Sequence, residues 1–354
     1  MNASDATHAG FTVTVQPSGR TFVTERTETI LAAGIRQNIG LPYGCKDGAC
    51  GSCKCKLLAG TVVHGNHQSK ALSAEEEAHG LVLTCCATPQ SDVVLESRQV
   101  TQEGALPIKK LPTRVNSMVR LTSDVMQLQL QLPANDSFLY RAGQYVEFLL
   151  RDGVRRSYSM ANAPKAGAMM ELHIRHMPGG KFTDHVFGGM KEKEILRIEG
   201  PFGSFFLREE SDKPMIFLAS GTGFAPLKAL LEQMQQKDRN RPVTLYWGGR
   251  RPNDLYMNGW VTEFCAGNPW LRYVPVVSDA LPEDAWAGRS GFVHQAVLQD
   301  HADLSGYQVY ACGAPIVVDS ARRDFRKLAH LPEEEFFADA FTSEADKARE
   351  VQRA

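Results

Sequence analysis

Eight cysteines stand in this chain of 354 residues, and their spacing is the first chemistry it offers. Four fall between Cys45 and Cys55, two are adjacent at Cys85 and Cys86, and Cys265 and Cys312 stand apart. The order Cys45-x4-Cys50-x2-Cys53, followed after 31 residues by Cys85, is the spacing of thiolates round a plant-type 2Fe-2S cluster. Three thiolates on one loop wrap one side of such a cluster, and a fourth on a returning strand closes the cage. Gly44, Gly48 and Gly51 lie among them, where a tightly turning backbone brings N–H groups toward the sulfides. Zinc is the competing metal, but it takes paired Cys-x2–4-Cys knuckles. Cys86 competes with Cys85 for the fourth place, because neighbours on an extended segment point to opposite sides. Cys55 is expected to face away and to pack as a small hydrophobe. Disulfide frameworks belong to short secreted chains, so clustered thiols in a chain of this length point to metal ligation in a reducing compartment.

A second group is Arg156-Ser157-Tyr158-Ser159. On one extended segment the guanidinium suits a pyrophosphate, the phenol ring suits stacking on an isoalloxazine, and Ser159 can bond the reactive flavin nitrogen. A core tyrosine in a strand is the plainer alternative for Tyr158. Pro178-Gly179-Gly180-Lys181-Phe182-Thr183 reads as a loop entering a helix at about residues 183–187. Free N–H groups there, with the Thr183 hydroxyl, make an anion site for the same pyrophosphate. Gly180, Lys181 and Thr183 are therefore candidate FAD-binding residues. His173 and Arg175, on the strand before that loop, join the cofactor-binding candidates. His173 and His176 as a metal pair are disfavoured, since strand residues three apart face opposite ways.

A third group follows an apolar run at 214–219. Ser220-Gly221-Thr222-Gly223-Phe224-Ala225-Pro226 joins a buried strand to a helix, where Gly221, Thr222 and Gly223 allow close approach of a diphosphate. Pro226 fits the first helical turn. The segment is neither GxGxxG nor a Walker loop. Two further strand ends gather at the same edge, Trp247-Gly248-Gly249-Arg250 and Tyr310-Ala311-Cys312-Gly313. The Cys312 thiol either touches a nicotinamide ring or packs in the core. Phe341, closing Phe336–Phe341, either covers a flavin or ends an ordinary edge strand. Arg250 and Arg251 suit a 2′-phosphate, whereas Asp279 suits a ribose hydroxyl, so NADH and NADPH both stay open.

The elements that must position these groups are legible in outline. Strands are expected at 11–16, 20–24, 81–85 and 93–95, and a short helix at 29–38. Ser73-Ala74-Glu75-Glu76 is a capping-box pattern opening a helix of one to two turns. A polar linker is expected at 97–107. Strands at 125–132, 145–150, 155–160, 169–175 and 195–198 suggest an antiparallel barrel. From 213 onward strands alternate with helices, which argues for a doubly wound parallel sheet. Basic and acidic residues number 39 and 40, so no basic field points to nucleic acid. Hydrophobic residues at 43% and charged residues at 22% fit a soluble globular chain. No run approaches a membrane span, and the polar start MNASDATHAG lacks a hydrophobic signal segment, so a cytoplasmic location is expected.

Together these residues resemble the ferredoxin–NAD(P)H reductase superfamily. The cluster, FAD and pyrophosphate motifs in YGCKDGACGSCK, RRSYSMANAP and GTGFAPLK are common to it, while LTCCATPQSDVVLE, LRIEGPFGSFFLRE, RYVPVVS, GFVHQAVLQD, VYACG and FFADAF extend the resemblance to the CDP-6-deoxy-Δ3,4-glucoseen reductase branch. The resemblance implies a multidomain α+β and α/β chain. Residues 1–98 would form a β-grasp-type 2Fe-2S ferredoxin domain, and 99–108 a linker. Residues 109–210 would form an antiparallel FAD-binding β-barrel, and 211–354 a doubly wound NAD(P)H-binding domain. Cys45, Cys50, Cys53 and Cys85 would hold the cluster. Arg156, Ser157, Tyr158, Ser159 and the Gly180/Thr183 loop would hold FAD. Gly221, Thr222, Gly223 and Cys312-Gly313 would face the dinucleotide, NADH rather than NADPH. Ser159, Cys312 and Phe341 would be the catalytic set, with Phe341 where plant-type reductases have tyrosine.

An electron-number argument supports the order of carriers. A nicotinamide releases two electrons as hydride and a 2Fe-2S cluster accepts one, so a flavin must lie between them. The implied acceptor is a partner protein, either an iron–sulfur dehydratase acting on a CDP-sugar in 3-deoxysugar formation or an oxygenase component. A non-enzymatic redox sensor or electron carrier is the alternative of another class. A monomer is expected.

Overall fold

The computed structural model describes residues 10–101, 106–134, 137–165, 167, 169–238 and 240–342. They form two compact units, one holding the residues up to 106 together with Thr342, and one spanning Pro107–Phe341. The middle of the expected linker, 102–105, and the first nine residues lie outside the described residues.

In the first unit β1 (Thr12–Gln16), β2 (Arg20–Val23), α1 (Ile30–Arg36), β3 (Lys54–Ala59), β4 (Val62–His64), α2 (Ala74–Ala78), β5 (Leu81–Leu83), β6 (Ala87–Pro89) and β7 (Val93–Glu96) follow in order. Five strands make a mixed sheet, β2-β1-β7-β3-β5, in which only β1 and β7 run parallel. Strands β4 and β6 make a separate pair. Two caps end the loops that feed the helices. The Thr29 hydroxyl accepts from the Ala32 amide, and Ser73 with Glu76 forms the expected capping box. The stretch expected to begin the linker is tied to this unit, since Thr101 pairs with Gly40.

The second unit contains two sheets. Strands β8 (Lys109–Arg120), β9 (Val125–Gln131), β10 (Tyr145–Leu149), β11 (Arg155–Ser159) and β12 (Met170–Arg175) come first. Helix α3 (Lys181–Gly188) and β13 (Ile195–Phe202) follow. The six strands form an antiparallel sheet, β11-β10-β13-β8-β9-β12, and a bridge between Met160 and Leu172 joins its two ends. Leu128 and Leu130, alternating with glutamines on β9, are wholly buried. Each contributes roughly 1.5–3 kcal/mol through burial.

The chain continues through β14 (Met215–Ser220), α4 (Phe224–Gln236), β15 (Val243–Gly249), α5 (Asn258–Ala266), β16 (Leu271–Val277) and β17 (Arg289–Ser290). It closes with α6 (Val293–Asp300), β18 (Gln308–Gly313), α7 (Pro315–Ala329) and β19 (Phe336–Ala340). These strands are all parallel, in the order β17-β16-β15-β14-β18-β19. Helices α4 and α5 pack on one face, α6 and α7 on the other. Chain order reverses beside β14, so the ends of β14 and β18 open the crevice where such sheets bind ligands. Among the described residues no helix is long and apolar enough to cross a membrane.

Candidate functional site

In the first unit the thiols converge in pairs. The Cys45 amide lies 3.3 Å from Cys50 Sγ, and the Cys50 amide 3.3 Å from Cys45 Sγ. Cys53 Sγ lies 3.3 Å from Cys85 Sγ. Among the described residues no three His, Cys, Asp or Glu side chains are grouped round a single metal ion. Two thiol pairs suit two irons better than one zinc. The set is also electrostatically strained. Hydrogen bonds from Cys50 and Cys85 hold the Cys45 thiol far below its ordinary range, while the same contacts and burial push Cys50 and Cys85 up. Four thiolates need cations among them to ionise together, and iron supplies that charge. The residues present therefore fit the cluster.

The Cys85/Cys86 expectation is corrected in its premise. Thr84–Cys86 is a turn rather than an extended segment. Both thiols consequently lie near each other, 3.5 Å apart, with Cys85 beside Cys53. Cys55 packs as expected on β3, buried, its thiol pushed up to about 12 by burial.

In the second unit β11 alternates. Arg156 and Tyr158 lean one way, while Ser157 and Ser159 lean the other. The Tyr158 ring packs 5.3 Å from Phe182 and 5.8 Å from Phe148, centroid to centroid, and is half-buried. Helix α3 starts at Lys181, two residues before the expected start. Its N-cap, Gly180, supplies no side-chain hydrogen bond, so the first-turn amides suit an anion. The Thr183 hydroxyl donates to the Met177 carbonyl at 2.9 Å and accepts from the Met177 amide, so it closes the loop. Lys181 pairs with Asp152 at 2.5 Å.

Strand β12 turns Glu171, His173 and Arg175 toward the parallel sheet's side of the unit. Both ring nitrogens of His173, an expected cofactor-binding residue, are engaged within the protein. Nδ1 lies 2.9 Å from the Tyr256 hydroxyl and Nε2 lies 2.8 Å from Glu171. Lys228 on α4 reaches Glu171 at 3.1 Å and Glu232 at 2.6 Å, and its side chain is 4% exposed. Burial lowers the His173 imidazole. The Glu171 carboxyl, despite burial, is lowered to about 2 by His173 and Lys228. His176 is occupied elsewhere, 2.9 Å from Asp184 and stacked on Phe187.

Arg175 reaches the turn at 221–223 from the end of β12. Its guanidinium lies beside Gly221 and in ion-pair range of Asp124 at 3.5 Å and Asp254 at 3.7 Å, while Nε and Nη2 are buried without a hydrogen bond. The turn at 221–223 is fixed from several sides. The Trp247 indole N–H donates to the Gly221 carbonyl at 3.0 Å, and the Ala314 amide donates to the Ser220 hydroxyl at 2.8 Å. A Cβ on Gly223 would lie 2.1 Å from the Cys312 carbonyl oxygen, so only glycine lets the two strand ends meet. Thr222 is half-buried in this turn, and Pro226 is buried in the first turn of α4.

Ser159 and Asp339 meet where the two sheets adjoin. The serine hydroxyl donates to Asp339 Oδ2 at 3.3 Å, and both residues are buried. Asp339 pairs with Cys312 across β18 and β19. Cys312 is fully enclosed, and burial followed by Asp339 pushes its thiol well up, so it is a neutral core thiol with no open surface. The expected contact of that sulfur with a nicotinamide is not available in this arrangement. The Phe341 amide donates to the Gly313 carbonyl at 2.8 Å, and its ring rests partly exposed on the core. Sequence reasoning missed Asp339, although it stands within the FFADAF run, because nothing local marks its approach to Ser159.

Arg250 and Arg251 have different surroundings. Arg251 is held by Asp284 at 2.8 Å and by Glu283 at 3.9 Å. The exposed Arg250 side chain pairs with no described residue. Asp279, exposed at the end of β16, donates its amide to the Arg250 carbonyl at 2.9 Å.

Comparisons with known proteins match this geometry. Residues 13–90 match the 2Fe-2S iron-sulfur cluster binding domain, 112–207 the oxidoreductase FAD-binding domain, and 217–323 the oxidoreductase NAD-binding domain. The chain is 41% identical over 330 residues to the CDP-6-deoxy-L-threo-D-glycero-4-hexulose-3-dehydrase reductase of Yersinia pestis, covering 93% of this chain and 98% of that protein. It is 34% identical over 318 residues to the terephthalate 1,2-dioxygenase reductase component 1 of Comamonas sp, covering 89% and 93%. The crystal structure of the Amycolatopsis cytochrome P450 reductase GcoB superposes with a TM-score of 0.76 at 33% identity, covering 94% of this chain and 99% of that one.

Proposed function

We propose an electron acceptor and a set of residue roles for this chain, which belongs to the ferredoxin–NAD(P)H reductase family of iron–sulfur flavoproteins. It is an NAD(P)H-dependent oxidoreductase that moves electrons from the nicotinamide through FAD and a 2Fe-2S cluster to a partner protein. When bound, FAD supplies the two-to-one-electron conversion and the cluster supplies single-electron delivery.

The chain's own part is placement. Cys45, Cys50, Cys53 and Cys85 hold the cluster, on the support of their pairing. The start of α3 and Arg156 hold the FAD pyrophosphate, and Tyr158 lies along the ring system. Arg175 and the 221–223 turn hold the dinucleotide phosphates. Ser159 and Asp339 form a hydrogen-bonded pair at the reacting edge, with Cys312 as a packed, neutral wall and Phe341 as a cover. We assign domains at 1–98, 109–210 and 211–354, with the linker between the first two tied to the first unit at Thr101. A β-grasp first domain and a closed barrel are supported by the mixed sheet and the Met160–Leu172 bridge. NADH is the favoured donor, because Asp284 occupies Arg251, the second of the two arginines that would suit a 2′-phosphate. A cytoplasmic monomer fits this role.

The observation that carries the route is the Ser159–Asp339 contact, which brings the end of a flavin-type strand against the edge of the nucleotide sheet. The acceptor we favour is a CDP-sugar dehydrase, supported by 41% identity over nearly the whole chain. An oxygenase component is the second reading, favoured by the terephthalate dioxygenase relative. Anaerobic mixing with NADH tests the route: flavin absorbance should fall first and cluster absorbance second, and a flavin that NADH does not bleach would sink it. Purified acceptors test the partner. Faster electron delivery to an oxygenase component than to a CDP-sugar dehydrase would overturn the sugar assignment.

A further inference from the structure

We propose that Cys86 is a reserve ligand of the cluster, placed to take the fourth position if Cys85 is lost. The inference rests on the ligand set Cys45, Cys50, Cys53 and Cys85 assigned above. The chain carries a fifth thiol at this site, and the fold, not the sequence neighbourhood alone, puts it there. The Cys86 amide donates to the Leu83 carbonyl at 3.0 Å, and the Cys86 carbonyl accepts from the Gly65 amide at 2.9 Å. Its backbone is thus pinned on both sides, and the turn at 84–86 directs both thiols the same way. Cys86 Sγ lies 3.5 Å from Cys85 Sγ, a span that a χ1 rotamer change covers in large part.

The same sulfur touches the ligand loop. A Cβ on Gly48, between Cys45 and Cys50, would lie 2.8 Å from Cys86 Sγ. Glycine at 48, with its φ of +75°, therefore leaves room for Cys86 against the loop. Cys55 shows that nearness along the chain is not enough. It is two residues from Cys53, yet it is buried on β3 and paired in register with Val82. Cys86 is only partly buried and its sulfur faces Cys85, whereas Cys55 is enclosed on the sheet. On taking over, the Cys86 thiol gives its proton to water and forms the iron–sulfur bond that Cys85 would have made. No electron changes hands.

The test uses the full chain with Cys85→Ala, Cys85→Ala/Cys86→Ala and Cys50→Ala variants, each reconstituted anaerobically with iron and sulfide. Alanine is chosen because a serine oxygen can itself bind iron. Iron content, visible absorbance and the EPR signal of the reduced protein are read for each. Cys85→Ala should keep more than about half the wild-type iron, with altered EPR g-values, while the double variant falls below about one tenth. Loss of iron from Cys85→Ala to the level of Cys50→Ala, folded or not, overturns the proposal. Retention of iron by the double variant also overturns it, since some other group would then be the ligand. Cys50→Ala separates the two claims: if it keeps full iron, the underlying ligand set fails and the reserve role falls with it.

Discussion

The thiol loop and the Ser159–Asp339 junction solve opposite problems. The first gathers three of its four ligands from nine consecutive positions, Cys45 to Cys53, and borrows the fourth from one turn. The second gathers Ser159, Arg175, Gly221, Trp247, Cys312 and Asp339 from the ends of six strands across 181 residues. A local loop needs only spacing and a few permissive backbone positions. A junction of two sheets needs every intervening register to be right, so it is held by buried polar links such as Lys228–Glu171 and Trp247–Gly221. Damage to the loop should remove one function cleanly, whereas damage to the junction should weaken stability and binding together.

The largest effect is expected at the loop. Cys50→Ser should abolish cluster absorbance and lower electron delivery to a protein acceptor by more than about a hundredfold. NADH-driven ferricyanide reduction by the flavin should stay within about twofold of wild type. A parallel loss of ferricyanide activity would show that the two regions are not separable.

Lys228→Met makes the converse break. It removes a buried cation from between Glu171 and Glu232, leaving Glu171 with His173 and Glu232 with the Ala163 amide. The cost should be about 3–5 kcal/mol, seen as a fall of roughly 8–15 °C in the thermal midpoint of the second unit. Iron content should be unchanged. A midpoint within a degree or two of wild type would mean that the network contributes little.

Trp247→Phe sharpens the comparison inside the junction. It keeps an aromatic ring on Phe224, which lies 4.1 Å away centroid to centroid, and removes the indole donor to Gly221 together with part of a fully buried ring, whose loss is read separately as a fall in the thermal midpoint. One hydrogen bond of about 0.5–1.5 kcal/mol predicts a rise of roughly 2–12-fold in KM for NADH, with kcat and FAD content held. An unaltered KM would mean that the turn holds its shape without the indole.

The smallest effect is in pH. Burial depresses His173 below its ordinary value of 6.5, so the folded state resists a proton that the unfolded chain accepts. Its contribution is present above that value and declines as pH falls through it. Glu171, lowered to about 2, follows the same sign at lower pH: its contribution is present above 4.5 and is lost toward 2. Between about pH 7.5 and pH 5.5 the unfolding free energy of the second unit, read from urea titrations, should therefore fall, by up to about 1.4 kcal/mol per pH unit. His173→Gln should flatten that slope, and parallel curves for the two proteins would remove His173 as the cause.

Several elements were open to reading from the residues because their signals are local. Ser73 and Glu76 announce a capping box three residues apart, and Leu128 and Leu130 alternate with glutamine. The long strand β8, at Lys109–Arg120, was not legible. Leu111 and Val115 keep the period of two, but the buried position between them is the polar Thr113, Met118 falls out of phase beyond the register shift at Val115/Ser117, and Pro112 masks the strand. The start of α3 fell two residues early because Gly180, not Thr183, caps it.

Residue types and short spacings determined the thiol set, the strand-turn-helix at 220–226 and the carrier order, since ligand chemistry and electron count depend only on what stands near what along the chain. Tertiary structure alone decided that Cys86 turns beside Cys85, that His173 binds Tyr256 and Glu171, that Cys312 is enclosed and that Asp339 meets Ser159. Each of those depends on a turn or a strand pairing that brings distant backbone into register, and register is set by the packing of whole sheets.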